Sequence, residues 1–307
     1  MSKVELAAFL AGAIRLALPV LLAATGELVS ERAGVLNLGL EGIMLTGAFS
    51  GALGAHYTGS AVGGLACGVL AAVLFTGLTS VLNITLAANQ LVVGLAANAL
   101  ALGVTSFAAK ELLPQGLTAD LPSFGTLNVP GLSDLPVVGG ALFGQSVLLY
   151  VGLLMVAATI YVLGRTGWGL AIRAAGDDAR AADQAGCPVV AVRWLATLWT
   201  GVMAGTGGVF LSLADIQGLT QNMTAGRGFL AIGAVIAGAW IGWRVVLACL
   251  IFGAATALQF QAEGLGLNVP VAILVAGPYL LALLAVAGLA GRTRAPADLI
   301  RPFVRGA

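Results

Sequence analysis

The chain has very little charge for its length. Lys, Arg, Asp and Glu make up 9% of its 307 residues, against about 25% in an ordinary soluble domain. Four stretches close to the length of a membrane span contain no charged residue at all: Val62–Leu82, Leu91–Ala109, Val147–Leu163 and Val269–Ala290. A soluble fold could not cover so much apolar surface with so few charges, so the composition indicates an integral membrane protein.

Histidine and cysteine are also scarce. His56 is the single histidine, and no set of His, Cys, Asp and Glu stands at the spacing of metal ligands. The three cysteines, Cys67, Cys187 and Cys249, are odd in number and scattered, which argues against a disulfide framework or a zinc site. We expect them to be small buried residues, and we expect neither enzymatic activity nor a metal or other cofactor.

Lysine occurs only twice, at Lys3 and Lys110, and neither is preceded by glycine. A P-loop requires Gly-Lys-Ser/Thr, so this chain cannot hydrolyse ATP by that means. The net charge is +1, with no basic stripe of the kind that binds nucleic acid. Any energy-requiring function therefore depends on another subunit or on an ion gradient.

The apolar segments predict helices, because the alternation of a membrane β-strand is missing from them. We predict an all-α fold, a polytopic transmembrane bundle of about 8–10 helices that forms a single domain over residues 1–307. The predicted spans are Ala7–Ala24, Val35–Ala55, Val62–Leu82, Leu91–Ala109, Val147–Leu163, Val192–Leu213, Phe229–Ile241, Val245–Ala262 and Val269–Ala290. Closely spaced glycines such as Gly47 and Gly51 are expected to let helices approach one another.

Arginines concentrate in two connections. Residues 165–193 contain four arginines, and the C-terminal tail contains Arg292, Arg294, Arg301 and Arg305. The positive-inside rule places both on the cytoplasmic side. The long connection at residues 110–145 is rich in Pro and Gly, lacks this basic excess, and is predicted to be external.

The first polar feature is the segment Gly26–Gly42. Asn37 and Glu41 are four residues apart, which would place them on one helix face, directed into the bundle. For Glu27, Glu31 and Arg32 we expect a short interfacial loop in which the charges are solvated.

Two further features are polar. Gln90, Gly94 and Asn98, preceded by Asn89, form a stripe that could line a pathway or join two helices. The segment Asp215–Phe229 ends with Arg227 at the start of a helix. It could form part of an outer mouth, with Gln217 and Thr224, or be an ordinary external loop.

The fourth feature is a short helix predicted in the segment Arg165–Pro188. Asp177 or Asp178 can cap it, and Gly186 is suited to end it. This surface helix could dock into a partner or be a plain cytoplasmic connection.

Separately, Ala33–Ala48 and Ala225–Ala239 share a faint pattern, which is weak evidence for an internal repeat.

These segments resemble one superfamily in order and spacing. The sequence G-E-L-V-S-E-R-A-G-V-L-N-L-G-L-E-G-I-M at Gly26–Met44 is similar to a long motif of the ribose and branched-chain amino acid importer permeases, in their nucleoside and simple-sugar branch. Thr85–Gln90, Gly169–Gly186 and Met223–Phe229 resemble three further motifs of that branch. The sequence departs from the family pattern at Gly176–Arg180, where G-E-N-P-R is common, and at Gly238–Gly242.

The resemblance implies a permease subunit of an ATP-binding-cassette importer for nucleosides or simple sugars, in the bacterial cytoplasmic (inner) membrane. It implies three protein partners: a cytoplasmic ATP-binding subunit, a second permease subunit and an extracytoplasmic substrate-binding lipoprotein. It also implies that Ala174–Ala185 is a coupling helix. The residues we assign to coupling are Arg173, Gly176, Asp177, Asp178, Arg180, Asp183 and Gly186.

The residues we assign to the substrate pathway are Asn37, Glu41, Asn89, Gln90, Asn98, Gln217, Thr224 and Arg227. One alternative is an ion-coupled secondary transporter, for which Glu41 would be the titrating group within the membrane.

Overall fold

A computed structural model describes residues 3–112, 121–127, 143–262, 270–289 and 294–304. Most of the predicted external connection at residues 110–145 lies outside these residues, as do Arg292 and Arg305. The helices are α1 (Lys3–Arg32), α2 (Leu40–Thr58), α3 (Ala61–Ser80), α4 (Gln90–Leu112), α5 (Val147–Arg165), α6 (Gly167–Asp177), α7 (Ala179–Gln184), α8 (Val189–Phe210), α9 (Arg227–Ala237), α10 (Gly242–Gln261) and α11 (Val271–Leu289). Short π-helical turns extend α3 and α8, at Val81–Thr85 and Leu211–Asp215.

The predicted all-α polytopic fold is confirmed. Within the described residues, six helices are long and apolar enough to cross a membrane: α1, α3, α4, α5, α8 and α10, where α3 and α8 include their π-helical ends. α9 and α11 are shorter apolar helices. α2 has 19 residues but carries more polar groups, and most of its residues are buried by other helices rather than left for lipid. A helix enclosed by protein does not need a wholly apolar surface.

Glycines let the central helices touch through their backbones. A Cβ on Gly47 would lie 2.8 Å from the Gly205 backbone of α8, and one on Gly68 would lie 2.6 Å from the Gly47 carbonyl. In lipid, where packing rather than hydrophobic burial drives association, such contacts are a main source of stability. The expected packing role of glycine is therefore confirmed for these residues.

α1 and α8 lie antiparallel at the centre of the bundle. Gly26 of α1 packs on Thr200 of α8, whereas Pro19, earlier in α1, packs on Gly207, later in α8. Each central helix is followed by an irregular connection and then by a second inner helix, which is α2 after α1 and α9 after α8. This opposite direction of the two helix pairs is the order expected of inverted repeats, in which the similar segments 33–48 and 225–239 would correspond; the repeat stays a prediction.

Three expectations are corrected by this arrangement. α1 continues to Arg32, so Glu27 and Glu31 lie on its last turns at 0% and 1% exposure, rather than in a solvated loop. Asn37 precedes α2, so it does not share a helix face with Glu41. Of the cysteines only Cys249 is buried, while Cys67 is exposed and Cys187 is half-buried.

Candidate functional site: two interrupted helices and their cytoplasmic joint

The connection between α1 and α2, residues 33–39, is irregular backbone inside the bundle. Its amide groups need partners, because lipid supplies none. The N–H of Asn37 donates to Glu27 Oε1 at 2.8 Å, and the N–H of Leu36 donates to Gln90 Oε1 at 2.9 Å. The Asn37 side chain accepts from the Gly39 N–H at 3.1 Å. Buried side chains from α1 and α4 therefore hold this break in a fixed shape.

The predicted polar stripe on α4 faces this break. Asn98 accepts from the Gly42 N–H and donates to the Leu38 carbonyl, both at 2.8 Å. Gly94 lies so close that a Cβ there would be 2.5 Å from that of Leu38. Asn89 accepts from the Leu91 N–H at 3.0 Å and so caps α4. The polar atoms of this stripe are engaged with backbone, and their place in a substrate pathway stays a prediction.

The start of α2 lies part-way along the spanning helix α4. Asn98, which holds Gly42, is about 12 Å along α4 from Gln90 at 1.5 Å per residue. The hydrocarbon core is about 30 Å thick, so a point about 12 Å along a spanning helix is well inside it. The chain therefore passes from the end of α1 into the bundle as irregular backbone and becomes helical only at this depth.

Glu41 joins this point to the start of α9. Its carboxylate oxygens accept from the N–H groups of Gly226, at 2.7 Å, and Gly228, at 2.6 Å. A Cβ on Gly228 would lie 2.4 Å from the Glu41 nitrogen, so the two chains are in backbone contact. The first N–H groups of a helix lack partners within it and carry partial positive charge. Glu41 is 8% exposed and supplies the compensating negative charge from inside the protein.

The segment 216–226 therefore descends from the outer end of α8 to this same depth, and α9 continues inward from it. Arg227 begins α9 as predicted, and its guanidinium donates to the carbonyls of Met223 and Thr224 at 2.9 and 3.3 Å. Thr224 is fully buried, with no partner for its hydroxyl among the described residues. Gln217 is exposed, with a positive φ of 52°.

A cavity of about 220 Å³ lies between α2, α4 and this descending segment. Leu45 and Phe49, one and two turns beyond Glu41 on α2, line it together with Thr105 of α4 and Asn222. The cavity thus leads from the outer side toward the contact between the two helix starts.

At the inner end of the bundle, the last turn of α1 is bonded to the end of α9. The Trp240 indole N–H donates to Glu31 Oε2 at 2.5 Å, and Arg32 donates to the Trp240 carbonyl at 3.0 and 2.7 Å. Gly176, at the end of α6, packs so tightly on Arg32 that a Cβ would be 2.2 Å from its carbonyl. The cytoplasmic loop is therefore in direct contact with the joint between α1 and α9.

The predicted coupling segment Ala174–Ala185 is not one helix. α6 ends at Asp177, Asp178 is extended, and α7 begins at Ala179. The Asp178 side chain accepts from the Ala181 N–H at 2.9 Å, which confirms the predicted cap. Gly186 follows α7 with a φ of 87°. The residues alone predicted a helix starting at Asp177 or Asp178, which agrees with α7, whereas the longer range came from the family resemblance.

The other residues assigned to coupling surround this interruption. Arg180 is exposed on α7, Asp183 is half-buried, and the Arg173 guanidinium donates to the Gly169 carbonyl at 3.2 Å. Burial and the negative charge of Asp183 raise the pKa of the neighbouring Cys187 thiol, which keeps that thiol neutral. These positions do not test the coupling assignment, which stays a prediction.

Sequence reasoning missed two residues of the joint. Trp240 stands where the sequence departs from the family pattern, so no motif pointed to it. Asp298 accepts from the Ala179 N–H at 2.8 Å, but its segment had been interpreted only through its arginines. The sequence signal for Asp298 is that it is an isolated carboxylate in a tail rich in arginine.

A multi-pass helical bundle with two interrupted inner helices meeting inside the bundle has the architecture of a transport protein. The chain belongs to the family of branched-chain amino acid transport system / permease components, which residues 9–290 match. It is therefore a permease subunit, multi-pass in the cytoplasmic membrane, and is not itself an enzyme. Association with ATP-binding and substrate-binding components follows from the family.

Three relatives are similar over most of their length. The putative glucose ABC transporter permease TsgC13 of Haloferax volcanii is 36% identical over 87% of this chain and 82% of its own. The guanosine ABC transporter permease NupQ of Bacillus subtilis is 33% identical over 94% of both chains. The nucleoside ABC transporter permease NupC of Lactococcus lactis is 32% identical over 91% of this chain and 90% of its own. No solved structure matches the chain.

Proposed function

We propose that this permease subunit imports nucleosides or related simple sugars and that ATP hydrolysis on a separate subunit drives the movement. The observation that carries the proposal is the direct contact of α2 and α9 at Glu41, together with the bonded path from α9 to the cytoplasmic loop. The names of the relatives, which specify guanosine, nucleosides and glucose, support the substrate class.

The substrate class also agrees with the charge at the helix contact. A free helix N-terminus would attract an anionic group, but the Glu41 carboxylate already occupies the N–H groups of α9. The cavity above it is lined mainly by apolar side chains and by neutral polar ones such as Thr105 and Asn222, with Lys110 as its one charged residue among the described lining. The neutral polar groups of this lining can bond to the hydroxyl groups of a nucleoside or sugar.

In this mechanism substrate enters at the outer cavity, delivered by an extracytoplasmic binding lipoprotein. The ATP-binding subunit docks on α7 and moves it when ATP is bound. Gly176 packs against the Arg32 carbonyl, and the Arg32 guanidinium donates a hydrogen bond to the Trp240 carbonyl after α9. Movement of the loop therefore reaches α9, and separation of α9 from Glu41 would open the path inward. A second permease subunit completes the pore.

The test is uptake by the reconstituted complex. Proteoliposomes that contain this permease with its co-encoded ATP-binding subunit, second permease and binding protein should take up radiolabelled guanosine, uridine or glucose only with ATP. Arg180→Glu should abolish uptake without affecting membrane insertion, since Arg180 is exposed on α7, and Arg180→Lys should retain it. Full uptake by the purified permease alone, or uptake driven by a proton gradient without ATP, would contradict the proposal.

A further inference from the structure

The described part of the C-terminal tail, Arg294–Val304, lies across the junction of α6 and α7, and we call it the strap. The Asp298 N–H donates to the Gly176 carbonyl at 2.8 Å. One oxygen of the Asp298 side chain accepts from the Ala179 N–H, also at 2.8 Å. Asp298 thus bonds both to a carbonyl in the last turn of α6 and to the first N–H of α7. The cytoplasmic loop changes direction between these two groups.

The strap is also bonded to the inner ends of α1 and α8. The Ile300 N–H donates to the Gly34 carbonyl at 3.2 Å. The Arg193 guanidinium, on a residue only 3% exposed, donates to the Arg301 carbonyl at 2.9 Å and lies 5.9 Å from the Phe303 ring centroid. Because these bonds use backbone and buried groups, the strap and the start of α7 form one unit on the cytoplasmic face.

A cleft of about 530 Å³ opens between the strap and α7. Asp177 lies at the end of α6, Arg180 lies on α7, and Arg301 lies on the strap side. The Arg301 side chain is 73% exposed, and its 3.5 Å contact with Asp298 leaves most of its guanidinium available. The cleft is continuous with the exposed surface of α7, so a partner seated on α7 would also meet the strap.

We propose that the strap is the second half of the docking surface for the ATP-binding subunit, and that Asp298 is a positioning residue that sets the angle of α7. This rests on the proposed function, because it takes α7 as the docking helix. Exposed carboxylates (Asp177 and Asp178) line the cleft together with the exposed guanidinium groups of Arg180 and Arg301. The partner segment that fits it therefore carries groups of both signs, among them a carboxylate that pairs with Arg301. A charge pair that is desolvated between two subunits can contribute strongly to affinity.

Arg301→Glu tests the docking surface. The backbone of Arg301 bonds to Arg193 and Asp298, whereas its side chain makes only the exposed 3.5 Å contact with Asp298 among the described residues. An exposed ion pair contributes little to stability, so reversing the charge of this side chain should leave the fold intact. We expect the affinity of the permease in nanodiscs for its co-encoded ATP-binding subunit to fall at least about tenfold, as for a buried interfacial charge, with an unchanged thermal midpoint. Arg294→Glu, in the same tail but outside the cleft, should bind within about twofold of wild type.

Asp298→Ala tests the positioning role. We expect the variant to bind the ATP-binding subunit and support ATP hydrolysis but to import fewer substrate molecules per ATP. Asp298→Asn should restore that ratio, because an amide oxygen can also accept from Ala179. A ratio equal to wild type in the alanine variant, or normal affinity in Arg301→Glu, overturns the inference. If the wild-type permease itself does not bind the ATP-binding subunit, the proposed function fails instead.

Discussion

Glu41→Ala is the substitution whose effect can be worked out most fully from the structure. The change removes both acceptors for the N–H groups of Gly226 and Gly228, which lie 2.7 and 2.6 Å from the carboxylate. Leaving a buried donor without a partner costs about 1–3 kcal/mol. Loss of a negative charge at a helix start adds about 0.3–1 kcal/mol. We therefore expect a loss of stability of about 3 kcal/mol or more.

Glu41→Gln separates the contributions of the two hydrogen bonds and of the charge to this loss of stability. The glutamine side chain retains one carbonyl oxygen, so it can satisfy one of the two donors but not both, and it removes the charge. We expect a destabilisation of about half that of the alanine variant. Glu111→Gln removes the same charge from an exposed position at the end of α4, and it should leave both stability and uptake unchanged.

The assay is the thermal midpoint of the purified permease in detergent, followed by ATP-dependent uptake of the reconstituted complex. A loss of this size should lower the midpoint by several degrees, and uptake should fall because α9 is no longer held against α2 in the closed state. A Glu41→Ala protein with the wild-type midpoint and normal uptake would refute the conclusion that Glu41 holds α9 against α2 by accepting from Gly226 and Gly228.

Two further substitutions test the contacts at either end of α9. Gly228→Ala should abolish uptake, because the new Cβ would lie 2.4 Å from the backbone nitrogen of Glu41. The control Gly233→Ala should be tolerated, since its Cβ would have only a 3.6 Å contact. Normal uptake by Gly228→Ala would argue against the backbone contact between α2 and α9. Trp240→Phe removes the 2.5 Å bond to Glu31 and should cost about 1–3 kcal/mol in the thermal unfolding of the permease. Trp243→Phe, at a position 62% exposed, should be neutral, and equal midpoints for the two variants would show that the bond contributes nothing.

Much of the fold could be predicted because membrane helices are encoded locally. An uncharged run such as Leu91–Ala109 has one solution in lipid, since only a helix satisfies its backbone from within. The stripe of Gln90, Gly94 and Asn98 was found by spacing alone, and it does lie on one face of α4. The cap of α7 at Asp178 followed in the same way from a short local pattern.

The site itself could not be predicted as far, because its contacts join residues distant in sequence. Glu41 was expected to face the bundle interior, but nothing near it in the chain indicates that its partners are Gly226 and Gly228. Glu27 and Glu31 were expected to be solvated because burial of two carboxyl groups is costly. Here the fold provides specific donors for one oxygen of each, from Asn37 and Trp240, and only tertiary structure supplies that information.

The two helix pairs differ in how their inner helices are joined to the rest of the chain. α2 is flanked by the glycines Gly34 and Gly59, with φ of 92° and 62°, which glycine adopts at little cost. α9 is preceded by Ala225 and Gly226, at φ of 45° and 82°, and followed by Ala239 and Trp240, at 54° and 57°. Left-handed backbone at residues other than glycine costs of order 1 kcal/mol or more each.

Strain of this kind persists only where surrounding contacts impose it, and at α9 those contacts are identifiable. At its outer end Tyr279 donates to the Ala225 carbonyl at 2.6 Å, beside the bonds of Glu41. At its inner end Arg32 and Glu31 hold Trp240. The break before α2, in contrast, is held by relaxed backbone and by side chains of α1 and α4. The two inner helices thus differ in backbone strain at their ends, and the non-glycine left-handed residues are concentrated around α9. Gly176 of the cytoplasmic loop contacts Arg32, which bonds to the Trp240 carbonyl. If the loop couples to ATP hydrolysis as we propose, we expect α9 to be the inner helix that its movement displaces.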